Sequence, residues 1–124
     1  KNKKLLLEGL KKIESIKNKL NNIDIRIDKY NCEDLALIFD LQSSLISAEA
    51  TIISALTREE SRGAHQRSDF PELDPDSKFN SLVSMDENSK LKISKFPLKE
   101  LKGNLKRITE NQFNDEDIKD KLLE

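Results

Sequence analysis

The amino-acid sequence predicts a mainly α fold: a helical bundle, then a β-hairpin, then a C-terminal helical tail. Three observations predict it. Apolar residues recur at helical spacing from Lys3 to about Leu20 and again from Asn31 to about Ser61. Alternation with a period of two takes over between Phe79 and Phe96. Between these regimes lies Arg58-Glu-Glu-Ser-Arg-Gly-Ala-His-Gln-Arg-Ser-Asp-Phe-Pro71, which packs three arginines, a histidine, three acids and a glycine into a short polar stretch.

In the first helical stretch Leu6, Leu10, Ile13, Ile16 and Leu20 fall on one face, while lysines, Glu8 and Glu14 fill the other. Gly9 weakens this helix slightly. Asn21 and Asn22 mark its end, because Asn tolerates the left-handed cap conformation. Ile23-Asp-Ile-Arg-Ile-Asp28 alternates strictly, which fits either a strand or an extended connector between two helices.

The second stretch is the strongest element. Asn31 suits the N-cap, and Glu33 and Asp34 sit in the first turn, where the helix dipole favours negative charge. Leu35, Ile38, Leu41, Leu45, Ala48, Ile52 and Leu56 form a stripe that Leu37, Phe39, Ile46, Ile53 and Ala55 broaden. So wide an apolar surface expects neighbours on two sides. Gly63 breaks the helix and Pro71 cannot continue it.

Ser68 to Ser77 reads as a loop. Phe79–Met85 and Lys90–Phe96 alternate around Asp86-Glu-Asn-Ser89, a hairpin with a four-residue turn. Phe79, Leu82 or Val83, Leu91, Ile93 and Phe96 are the candidates for its buried face. After Pro97 a helical stripe of Leu98, Leu101, Leu105 and Ile108 is interrupted by Gly103, and Asn114-Asp-Glu-Asp117 caps a last helix through Leu123. The expected division is 1–77 for the bundle portion, 78–98 for the hairpin and 99–124 for the helical tail.

Composition excludes several classes of function. Of 124 residues, 35% are hydrophobic and 36% charged, thin for a self-sufficient core. Lysines and arginines (22) nearly balance aspartates and glutamates (23), so no broad basic field exists to hold nucleic acid. The aromatics form no stacking platform for it either. Cys32 is the sole cysteine, which excludes an internal disulfide and a CxxC metal knuckle and reads as a structural thiol in a reducing, cytoplasmic setting. Asp115-Glu-Asp117 with Asp120 lacks the glycine and spacing of a calcium loop and reads as acids at a helix start. The first helix is lysine-rich, but its glutamates make it an ordinary bundle helix rather than a lipid-binding one. No apolar run approaches the roughly 20 residues of a membrane span. A helical pattern that starts at once from Lys1 reads as a piece of a longer protein.

The 58–71 segment has two readings from its residues. At a helix C-terminus the last carbonyls lack partners and favour cations, which Arg62, His65 and Arg67 supply. Glu60 and Asp69 lie near enough to pair with these arginines, and Gly63 permits the turn that gathers them. That describes a structural knot. The other reading is a catalytic His65 oriented by an Asp, or an Arg that binds a carboxylate substrate. The residues alone favour the knot, because a catalytic site needs a concave pocket.

The same segment resembles the C-terminal region of the succinate dehydrogenase/fumarate reductase flavoprotein family. There a long helix runs into Arg-x-Glu-Ser-Arg-Gly-Ala-His-x-Arg-x-Asp-[Tyr/Phe]-Pro, and every position is present here from Arg58 to Pro71. Phe79–Asp86 and Lys90–Pro97 look like the family's closing hairpin. The resemblance covers about Lys1 to Leu98; Lys99 to Glu124 depart from the pattern.

The resemblance implies a spectrin-repeat-like three-helix bundle, of which this chain holds the second and third helices and lacks the first. It implies a homodimer for the fragment, with each copy filling the other's groove. For the parent it implies succinate/fumarate interconversion through FAD, with electrons exchanged through an iron–sulfur subunit. It further implies a parent in the cytoplasm or peripheral on the cytoplasmic membrane face. No catalytic, cofactor-binding or metal-binding residue carries over to this chain. Arg58, Glu60, Ser61, Arg62, Gly63, His65, Arg67 and Asp69 carry over as a signature at the joint with the upstream flavin-binding domain. L-aspartate oxidase, in the same superfamily, and a non-enzymatic helical interaction module are the alternatives.

Overall fold

The structure, a computed structural model, describes residues 1–27 and 32–102. Helix α1 (Lys3–Leu20) and helix α2 (Glu33–Thr57) are followed by strands β1 (Phe79–Met85) and β2 (Leu91–Pro97). The helices pack side by side, and the hairpin packs on α2.

Helix α1 starts because Asn2 caps it: its side-chain oxygen accepts the Leu5 N–H at 2.9 Å. Leu6 and Ile13 are buried from α1, Leu45 and Ala55 from α2, and these four form the apolar core. Gly9 does more than weaken the helix, since a Cβ there would lie 3.0 Å from Ile52 Cδ1. It is the point of close approach between the helices. Ile16, expected in the stripe, is 42% exposed. Lys17 takes the inner edge instead and forms an ion pair with Glu49 of α2. Asn21 ends α1 in right-handed rather than left-handed geometry (φ −66°, ψ −13°), and Asn22 and Ile23 continue the turn through bonds to Lys19 and Leu20. Residues 23–27 form no strand, so the connector is the form adopted.

Cys32 occupies the N-cap position of α2 without a capping side-chain bond, and Asn31 lies outside the described residues. Leu35, Ile38, Ile52, Ile53 and Leu56 are partly covered along with Leu45, whereas Leu37, Phe39, Leu41 and Ile46 stay exposed. At 100° per residue Leu37 and Leu41 fall on one flank and Phe39 and Ile46 on the other. The remaining face carries Ser43, Ser47 and Thr51, whose hydroxyls donate to the carbonyls of Phe39, Ser43 and Ser47 at 2.8–2.9 Å. Polar residues interrupt every apolar run, yet by length and composition α2 is long and apolar enough to cross a membrane.

The hairpin register pairs Val83 with Ile93 and Met85 with Leu91. Asp86 N–H donates to Lys90 at 2.9 Å, so the loop is three residues, 87–89, rather than four. Ser89 closes it at φ 60°, the left-handed position of a three-residue hairpin loop. Phe79, Val83, Leu91 and Ile93 face inward. Phe96 does not: with Leu82 it lies on the outer face, each 53% exposed, because a period of two sends both to the other side. Leu98 and Leu101 carry no helix. The expected tail elements from Gly103 onward, Leu105, Ile108 and 114–123 included, lie outside the described residues.

Candidate functional site

Helix α2 ends at Thr57, four residues earlier than its composition suggests, because Arg58 turns extended (φ −93°, ψ 103°). That turn lets the next residues fold inward. Glu60, with 0% exposure, and Arg67, with 1%, are the two most buried large side chains among the described residues. Burial of a charge is tolerated only when it is paired and hydrogen-bonded, and both conditions are met.

Glu60 is the centre of one lock. Arg62 grips it with two parallel bonds, Nε to Oε1 and Nη2 to Oε2, both 3.0 Å. Arg58 Nη1 donates to Oε1, and the Asp74 N–H donates to Oε2 at 3.0 Å. The Arg62 bond dominates in lowering the Glu60 pKa to about 2, against the opposing effect of burial. Arg62 Nη2 also reaches the Asp74 carbonyl at 2.8 Å. Arg58 goes on to the carbonyls of Ser77 and Phe79 and lies over the Phe79 ring, 4.4 Å from its centroid. The end of α2 is thereby tied to the start of the hairpin.

Arg67 and Asp69 make the second lock. Nε and Nη2 of Arg67 donate to the two Asp69 oxygens at 2.7 and 2.8 Å. Nη1 donates to the Ala55 carbonyl at 2.7 Å and the Arg58 carbonyl at 3.2 Å, at the C-terminus of α2. Asp69 Oδ2 accepts the Lys3 N–H at 2.8 Å, at the N-terminus of α1. The Arg67 bond dominates in holding the Asp69 carboxyl below the usual carboxylate range. Ser61 sits between the locks: its hydroxyl donates to the Phe70 carbonyl at 2.8 Å and accepts the Arg67 N–H at 2.9 Å.

Gly63 (φ 55°) turns the chain so that Arg62 and His65 exchange two backbone bonds of 2.8 and 2.9 Å. A positive φ at the first central position alone is the II′ pattern, for which glycine is suited. His65 Nε2 lies 3.3 Å from the Arg58 carbonyl, which only accepts, so Nε2 carries the proton of the neutral ring. Burial lowers the His65 pKa; its backbone bond opposes this, and the charges of Lys1, Arg67 and Arg58 lower it further.

All the signature residues therefore come together, but not as a catalytic pair. Asp69 is bound to Arg67 and Lys3, not to His65. Arg58, Arg62 and Arg67 already face carboxylates and carbonyls of their own chain. His65 lines a cleft of about 440 Å³, but the other residues lining it, such as Lys1, Ser54, Arg58 and Ser81, include no carboxylate to orient its ring. Among the described residues no cluster of His, Cys, Asp and Glu is arranged to hold a metal. The residue-level reading missed Asp74, Lys3 and the carbonyls of Ser77 and Phe79, which take part through backbone atoms and leave no residue-type signal. Asn2 is different, since an N-cap residue directly before the first apolar turn was there to be read.

An antiparallel helix pair followed by a hairpin is also found in the FrdA chain of E. coli quinol fumarate reductase. The likeness has a TM-score of 0.71 at 24% identity and covers 82% of this chain and 18% of that one. The fold is thus that of a flavoprotein's C-terminal helical domain. The chain belongs to the fumarate reductase flavoprotein C-terminal family, whose model matches residues 1–120.

Three relatives illustrate the range. One component of the CoM/CoB fumarate reductase of Methanothermobacter marburgensis is 35% identical over 79 residues, 64% of this chain and 14% of that protein. The succinate dehydrogenase flavoprotein subunit of Rickettsia felis is 39% identical over 98 residues, 76% of this chain and 16% of that protein. The fumarate reductase flavoprotein subunit of Mycobacterium tuberculosis is 41% identical over 78 residues, 61% and 13%. The chain therefore spans about a seventh of the length of such proteins. Neither the L-aspartate oxidase alternative nor the free-standing module is favoured by these matches.

The Arg67 lock leads to two testable outcomes. Arg67→Met is expected to destabilise the domain by about 3 kcal/mol, the lower end of the range for breaking a buried pair because Asp69 is partly exposed. Arg67→Lys is expected to recover little, since an ammonium lacks the planar fork that serves Asp69 and the Ala55 carbonyl together. Denaturant midpoints measure both.

The Glu60 pKa is lowered on folding, from 4.5 to about 2, so its stabilisation is complete above about pH 4.5 and declines as pH falls toward about 2. Glu60→Gln is expected to flatten the acid limb of a midpoint-versus-pH curve and to lower the neutral plateau. An unchanged acid limb in that variant would show that Glu60 is not the group responsible.

Proposed function

We propose that this chain is the closing helical domain of an FAD-dependent enzyme that interconverts succinate and fumarate and exchanges electrons with an iron–sulfur subunit. Its own role is structural and interfacial. The observation that carries this reading is the intact 58–71 signature, folded into two locks at the joint where helices and hairpin meet. The residues present do not fit a flavin site: Gly9, Gly63 and Gly103 are far apart in sequence and make no Gly-rich phosphate-binding turn. Flavin binding and chemistry therefore belong to upstream parts of the parent, and no step of the reaction runs through this chain.

Arg58, Glu60, Ser61, Arg62, Gly63, His65, Arg67 and Asp69 act here as an interdomain joint. Glu60 and Arg67 are satisfied internally, so they shape the joint, while the turn from Arg62 to Gln66 is presented outward. In the full-length enzyme Arg62→Ala leaves Glu60 without its two-bond partner. It is expected to lower flavin retention or assembly, with KM for the dicarboxylate kept within about twofold. Unchanged flavin content with a raised KM would sink this role. We infer from the family membership that the parent works in the cytoplasm or as a peripheral protein on the cytoplasmic membrane face.

For the isolated chain we propose a homodimer. Leu37 and Leu41 on one flank of α2, with Leu5 and Ile16 of α1, are exposed apolar residues of the kind an added helix covers. A second copy supplies that cover. Light scattering across a dilution series is expected to return twice the chain mass; a well-folded monomer at every concentration would refute the dimer.

A further inference from the structure

We infer that the outer edge of Gln66–Ser68 is a docking strand for the stretch of polypeptide that leads into α1 in the full-length protein. The inference rests on the reading that this domain closes a longer flavoprotein. Its basis is the way Lys1 is held. The Lys1 carbonyl accepts the Ser68 N–H at 2.9 Å and faces the Ser68 hydroxyl at 3.3 Å. The Lys1 nitrogen lies 3.5 Å from the Gln66 carbonyl. One residue set between the carbonyl of one neighbour and the amide of the neighbour two further on is the repeat of a parallel ladder.

That repeat fixes the next rung. The carbonyl two residues before Lys1 would meet the Gln66 N–H, which has no acceptor among the described residues. Gln66 is exposed, and its side chain is folded back to the Gly63 carbonyl at 2.7 Å. On the other side of Lys1 the direction of the chain is fixed as well, since Asn2 caps α1 and Asp69 binds the Lys3 N–H. An extended segment with free main-chain groups is the partner such an edge selects, and the pairing is through backbone and so tolerant of side-chain identity. The signature then does two things: it locks the helix ends together, and it holds the polypeptide that leads into α1.

The test is amide hydrogen exchange at single-residue resolution in the full-length, purified protein, with flavin content measured on the same preparation. The Gln66 amide is expected to exchange at least about tenfold more slowly than that of Ala64 at the turn tip, which serves as the internal reference. Equal rates in flavin-loaded protein would overturn the docking strand and leave the flavoprotein reading intact. A full-length protein that binds no flavin would overturn that reading and this inference with it. Gln66→Pro, which deletes the donor, is expected to open the segment before Lys1 to proteolysis at retained flavin content, whereas Gln66→Ala keeps it closed. Equal resistance in both flavin-loaded variants would also refute the strand.

Discussion

The Arg67–Asp69 ion pair is the constraint on which the rest of the domain depends, because it serves two helix ends at once. A helix favours a cation at its C-terminus and an anion at its N-terminus. Helix α2 has no basic residue in its last turn, and α1 has no acidic residue in its first. The pair supplies both: the guanidinium meets the Ala55 and Arg58 carbonyls and the carboxylate meets the Lys3 N–H. In an antiparallel helix pair these two ends are neighbours, so one salt bridge satisfies orphan groups on each helix and fixes their relative position.

The Glu60 lock extends this constraint to the hairpin. Arg58 joins the buried carboxylate to the carbonyls of Ser77 and Phe79, so β1 starts where the end of α2 dictates. Such polar joints matter more here than in a larger domain, because among the described residues only four apolar ones are buried. A buried ion pair is often no more stabilising than an apolar substitute, but removal of one partner is costly. Its contribution is geometric: directional bonds fix where three elements meet, which a thin apolar core does not do.

Much of this was legible in the sequence, and the failures share a cause. The bounds of α1 and β1 followed from periodicity, and the pairing of Glu60 and Asp69 with nearby arginines followed from proximity. Which acid meets which arginine did not, since the spacing of two from Glu60 to Arg62 equals that from Arg67 to Asp69. The end of α2 was misplaced because Arg58 to Ser61 are compatible with helix by composition, and only the folding-in of Glu60 breaks it. Ile16 and Phe96 were assigned to buried faces by hydrophobicity. Packing instead chose Lys17, whose stem covers α2 while its charge meets Glu49, and the strand period turned Phe96 outward. The backbone groups of Lys3 and Asp74 were unreadable, because any residue supplies an N–H.

Both locks sit at the same end of the helix pair, and this asymmetry bears on what the domain does. At the signature end, α1, α2, the loop and β1 are cross-linked by charge-assisted bonds. Toward the other end the helices are held by side-chain packing and the Lys17–Glu49 pair. The hairpin tip there is flanked by clefts of about 490 and 500 Å³ lined by residues such as Leu10, Ile53, Leu45 and Met85. Sparse packing lowers local stability, while directional buried bonds raise it. The directional bonds of the domain are therefore concentrated where Lys1 lies against the signature, and there Arg67 and Asp69 fix the end of α2 against the start of α1.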